Sequence, residues 1–219
     1  MPVDHKRRTA ILIFGLAGMA GALVLFAGDM LFYYQPGSAD FVANMAAAAP
    51  ERIVASGICA LLAAWLYALG AGQVYLALDP APAWLRWLVF GSFAAIMIAY
   101  GVIHAAYVAI AVAARNAAAL GLDPTGQMAL AWRTNELMRS VTLLLFAVFT
   151  VSFTWAVIAG KTLYPRWILL LSPVVLYFLK GPLVSRLEGA ALVVIGGGYL
   201  NLLLLVFFAA STVALLSRR

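Results

Sequence analysis

Charged side chains make up only 10% of this 219-residue sequence, and 66% of it is hydrophobic. A soluble domain carries about 25% charged residues and about 45–50% apolar ones. Too little polar surface remains to face water, so lipid must solvate much of the chain. Cysteine occurs once, as Cys59 within an apolar run, which excludes an intrachain disulfide and leaves the redox compartment unread. Histidine occurs only as His5, in the N-terminal tail, and His104. A bis-histidine haem site in the bundle and a multi-histidine metal centre are thereby excluded. HExxH, GxSxG, P-loop and CxxC motifs are all missing, so neither a cofactor nor a metal is expected. The formal charge of +6 comes without any Lys/Arg run interleaved with stacking aromatics, so nucleic acid is not an expected partner.

What the chain has in abundance is long apolar runs. A membrane span needs about 20 mostly apolar residues. Six candidates fit, at about 9–32, 53–78, 85–114, 140–159, 167–184 and 190–216, the fifth being the weakest. The expected fold is therefore an all-α, polytopic bundle forming a single transmembrane domain over 1–219. The basic start resembles a signal peptide, but its apolar stretch is too long, so a retained first helix is expected. Pro36-Gly37 makes a turn, and Ser38 is the expected N-cap of a short interfacial helix over 39–48. Asp79-Pro80-Ala81-Pro82 ends the second span. Met128 to Arg139 reads as an amphipathic lead into the fourth.

Lys6, Arg7, Arg8, Arg86, Lys161, Arg166, Arg218 and Arg219 all fall on one side of this arrangement, opposed only by Asp4 and Asp79. Basic residues favour the cytoplasm. Both termini are thus expected inside a bacterial inner membrane, with the 39–48 helix on the periplasmic side. Gly15, Gly18 and Gly21 let helices approach closely. Trp84, Trp87, Trp132 and Trp167 fall at expected interfaces.

Ionisable groups within apolar spans need a partner or a wet cavity, which makes them the informative ones. Asp29 follows Gly28 near the outer end of the first span, with Tyr33 one turn later on the same face. The plain alternative is a helix-terminal carboxylate at headgroup level. Tyr100, His104 and Tyr107 share one face of the third span, where His104 could equally be a neutral histidine bonded to a neighbouring helix. In WRTNELMRS, Arg133 with Glu136 and Glu136 with Arg139 are i, i+3 pairs, ordinary for a solvated helix start unless Glu136 and Arg139 turn inward. Lys180 precedes the helix-breaking Gly181-Pro182 and could snorkel to the interface. Asn201 follows Gly196-Gly197-Gly198-Tyr199, where three glycines imply close backbone contact or a local break. On the expected topology these groups all lie in the outer half, which predicts one polar pocket opening to the periplasm.

The segment GSADFVANMAAAAPERIVASG (37–57) and the turn KTLYPRWILLL (161–171) resemble a group of bacterial six-helix membrane proteins of unknown function. That resemblance implies a fold and a location without an activity. Gly28-Asp29 and His104-Ala105-Ala106-Tyr107 are also similar to the lysoplasmalogenase family of membrane hydrolases, which pair Gly-Asp at a helix end with His-x-x-Tyr on a later helix. The chain departs from that family in having fewer spans and Gly198-Tyr199-Leu200-Asn201 where a second acidic motif belongs.

Three functions follow. The first is a non-catalytic protein holding a small lipidic or amphipathic ligand, or a partner protein, in the outer pocket. The second is a membrane-embedded lipid hydrolase with Asp29 and His104 as acid and base. The third is a small transporter, which would need a homo-oligomer to supply the missing internal repeat. Ligand-binding candidates are Asp29, Tyr33, Tyr100, His104, Tyr107, Glu136, Arg139, Lys180 and Asn201.

Overall fold

A computed structural model describes residues 5–217, so the expected charges at Asp4, Arg218 and Arg219 lie outside the described residues. The helices are α1 (His5–Tyr33), α2 (Phe41–Ala47), α3 (Pro50–Ala77), α4 (Ala83–Ala119), α5 (Pro124–Ile158), α6 (Pro173–Phe178), α7 (Lys180–Val184), α8 (Gly189–Ala191) and α9 (Gly197–Leu216). A 3₁₀ turn precedes α6 at Arg166–Leu171, and a π-helical turn, Leu192–Gly196, joins α8 to α9. Five helices are long and apolar enough to cross a membrane: α1, α3, α4, α5 and the continuous run Gly189–Leu216. The protein is a multi-pass membrane protein by this measure. Leu61, Trp65, Leu69, Leu144 and Val151 are among many large apolar side chains on the outer surface, as lipid solvation requires.

Local chemistry explains the ends. Pro50 and Pro124 start α3 and α5, where a missing N–H costs nothing. Asp123 caps α5, accepting from the backbone N–H of Thr125 and Gly126, and those bonds hold its carboxyl below the usual range. Gly121 and Gly160, at φ 64° and 66°, close α4 and α5 in the left-handed region that side chains avoid. The N-cap of α2 is Asp40 and not Ser38: Asp40 Oδ1 accepts from Val42 at 2.9 Å and Ala43 at 3.0 Å. Ser38 instead accepts from Asp40 N–H. The lead at 128–139 is no separate element but part of one 35-residue helix, α5.

The expected fifth span is broken. Ser172 is extended at ψ 150° because Pro173 disfavours the helical conformation before it. Pro182 then removes the donor that the Phe178 carbonyl would receive. The broken segment nevertheless runs antiparallel to α9. Tyr164 Oη lies 2.7 Å from Ser211 Oγ, Tyr199 Oη donates to the Leu176 carbonyl at 2.7 Å, and Val184 sits against Gly196.

α1 packs between α3 and α9, and α4 between α3 and α5. Near one end α4, α5 and α9 converge on stacked phenylalanines: Phe93 on Phe149 at 4.8 Å, Phe149 on Phe153 at 5.1 Å, and Phe207 edge-on to Phe93 at 5.7 Å. The same half holds a satisfied polar knot. Ser211 donates to Gln73 Oε1 at 2.6 Å, while Gln73 Nε2 donates to Thr212 Oγ1 and the Ile11 carbonyl. At that end Arg7 and Arg86 pair with Asp79 at 2.9 and 3.1 Å, and Arg8 donates to the Leu216 carbonyl. The beginning of α1 and the finish of α9 therefore meet. Towards the other end the side chains of α1, α4, α5, α7 and α9 enclose space.

Candidate functional site

Asp29, His104 and Asn201 come from α1, α4 and α9, and each is buried, with at most 7% exposure. Asn201 Nδ2 donates to Asp29 Oδ2 at 2.6 Å, and Asp29 Oδ1 lies 3.1 Å from His104 Nδ1. His104 Nε2 lies 2.8 Å from Ser56 Oγ, which is 2.7 Å from the Gly28 carbonyl. Tyr67 Oη donates to Asn201 Oδ1 at 2.9 Å. One continuous chain of hydrogen bonds thus links four helices. Ser56 has a single proton to give. When it goes to Gly28 O, Nε2–H donates to Ser56. Both oxygens of Asp29 are thus committed inside the bundle.

Asp29, His104 and Asn201 line a cavity of about 410 Å³. All nine side chains singled out by sequence line it: Asp29 and Tyr33 from α1, Tyr100, His104 and Tyr107 from α4, Glu136 and Arg139 from α5, Lys180 from α7 and Asn201 from α9. Their residue spacing is why. Asp29 and Tyr33, and Tyr100, His104 and Tyr107, each recur at helical spacing, so one inward face carries each set. Gly196 and Gly197 line the opposite wall beside the π turn. A Cβ on Gly197 would meet the Tyr33 ring at 3.0 Å, and one on Gly198 would strike Phe26, so both readings of the glycine run, close contact and local break, hold.

The i, i+3 pairs on α5 do not form. Among the described residues neither Arg133 nor Arg139 lies within ion-pair distance of Glu136. Arg139 turns instead to Asn135 Oδ1 at 2.9 Å and Tyr107 Oη at 3.0 Å, its guanidinium 5.5 Å from the Tyr107 ring. Asn135, 2% exposed, also donates to the Ile103 carbonyl and so locks α5 to α4. A second space of about 300 Å³ shares Tyr100, Glu136 and Arg139 and continues between α5 and α6 past Leu143, Phe146 and Tyr177.

Sequence reasoning missed Ser56 and Tyr67, and it marked Asn135 only as one of the polar residues of WRTNELMRS. Ser56 and Tyr67 belong to a buried stripe on α3, Ser56, Ala60, Ala63, Tyr67 and Ala71, whose small-residue spacing was the available signal. Asn135 carried none beyond its place between two arginines.

A single family model matches residues 5–218. The chain belongs to DUF6796, a family of unknown function. No curated protein and no solved structure matches it. The likeness to lysoplasmalogenases stays confined to two short pieces, and the DUF6796 match gives it no support. In this DUF6796 chain the Ser56–His104–Asp29 order matches that of a hydrolase triad. Ser56, however, has no exposed surface and does not line the cavity.

Proposed function

We propose that this is an inner-membrane protein of six crossings, the fifth broken, which holds an amphipathic ligand in the cavity under its periplasmic end. The antiparallel course of the broken segment beside α9 supports the sixth crossing, and the Lys/Arg bias supports termini in the cytoplasm. On that orientation α2 lies at the periplasmic face. One observation carries the binding reading: nine polar or ionisable side chains from five helices line one cavity that continues into an apolar gap between α5 and α6. A polar head fits the first space and a chain fits the gap.

The hydrolase reading ranks second, because it has aligned acid and base but a covered hydroxyl. Transport ranks third: α3, the counterpart of the broken segment in an inverted repeat, is one uninterrupted helix. Native mass spectrometry of the full chain tests the first. Wild type should carry a defined lipid adduct, and Leu200→Trp, which fills the cavity, should lose it while keeping its melting temperature. Bare wild-type protein, or identical adducts in both, would defeat the binding reading. Fluorophosphonate labelling abolished by Ser56→Ala would move the hydrolase to first place.

A further inference from the structure

Arg139 and Lys180 face the same cavity without a counter-ion. Among the described residues the ion pairs are Arg7–Asp79, Arg86–Asp79 and His104–Asp29, and neither cavity cation belongs to one. The hydrogen-bond partners of Arg139, Asn135 and Tyr107, are both neutral. No described residue hydrogen-bonds the Lys180 ammonium. Asp29 lies within ion-pair distance of His104 alone, and its two oxygens are engaged by His104 and Asn201. Glu136 shares the wall but lies beyond ion-pair distance of both cations. A half-buried cation surrounded by lipid and protein is costly until an anion or water meets it.

The remaining donors point to the missing anion. Tyr107 accepts from Arg139 and keeps its own O–H to give, and the Tyr100 hydroxyl has no partner among the described residues. Guanidinium, ammonium and two phenol hydroxyls therefore converge on one space that has a single uncommitted carboxylate. That donor excess suits an oxyanion with several acceptor atoms, and a guanidinium fork matches phosphate in particular. The adjoining gap past Leu143 and Phe146 gives room for an acyl chain, which a free phosphate ion would leave unused.

We propose that the ligand is an anionic phospholipid whose phosphate sits between Arg139 and Lys180. This rests on the cavity being a ligand site and narrows the chemistry of what fills it. The test is competitive native mass spectrometry of the delipidated full chain with equal amounts of phosphatidylglycerol, phosphatidylcholine and diacylglycerol. Wild type should prefer phosphatidylglycerol over diacylglycerol by roughly tenfold or more, the size of one charge-assisted contact. Arg139→Gln/Lys180→Gln should bring the ratio near one. Arg139→Lys/Lys180→Arg should retain it, and Arg133→Gln, an exposed arginine outside the cavity, should leave it unchanged. Added inorganic phosphate that displaces the lipid completely would assign the site to the free ion and overturn the lipid source. Equal retention of diacylglycerol, or a preference that survives the double Gln variant, would overturn the anionic head while the cavity reading stands. Absence of every lipid would remove both.

Discussion

Asn201 is the residue on which the buried chain of hydrogen bonds turns, because its amide both donates and accepts. It donates one hydrogen bond to Asp29 and accepts one from the Tyr67 hydroxyl. Asn201→Ala would leave a buried carboxylate oxygen and a buried hydroxyl without partners, at a cost of about 1–3 kcal/mol for each group. Ser56→Ala removes a hydroxyl bonded to a helix carbonyl and leaves one buried group, His104 Nε2, without its partner, so about 1–3 kcal/mol is expected. Reversible unfolding in mixed micelles should rank Asn201→Ala clearly below Ser56→Ala. Equal stabilities would mean the chain is not a connected unit. Asn201 was visible as a polar residue in an apolar span; which carboxylate it serves was not, since the two are 172 positions apart.

At the scale of helices, small residues decide how near two backbones come. A Cβ on Gly70 would lie 2.7 Å from Gly18 Cα and 3.0 Å from Gly18 N, both backbone atoms that cannot rotate away. Gly70→Ala must therefore separate α1 from α3, at roughly 1–3 kcal/mol. Gly91, on the outer face of α4, has nothing within 4 Å of such a Cβ, and Gly91→Ala should be neutral or slightly stabilising. Melting temperatures of the two variants in one detergent check this, and a stable Gly70→Ala would contradict the close packing. The Gly15, Gly18 and Gly21 repeat announced this contact in the sequence. Two helix-end arginines were harder to read: Arg52 donates to the Met30 and Tyr34 carbonyls and Arg115 to that of Ala48. They serve the ends of α1 and α2, a use that depends on neighbours distant along the chain. The break at Ser172 followed from Pro173, but its depth beside α9 did not.

For the whole molecule, the proposed orientation makes a plain prediction. In a Cys59→Ser background, Leu122→Cys, between α4 and α5, should react with a membrane-impermeant maleimide added to intact cells. Lys161→Cys, at the opposite end of α5, should react only after lysis. The reverse pattern would invert the topology and put the cavity under the cytoplasmic face.

Membrane residence, all-helical architecture and the helical faces bearing Asp29, Tyr33, Tyr100, His104 and Tyr107 were determined by sequence alone, because hydropathy and helical periodicity are local properties of the chain. Only tertiary structure decided that residues of α1, α4, α5, α7 and α9 surround one cavity, that Asp29 spends both oxygens internally, and that Arg139 and Lys180 belong to no ion pair among the described residues. Those outcomes depend on which side chains from separate helices arrive at the same depth, and no local pattern carries that distance.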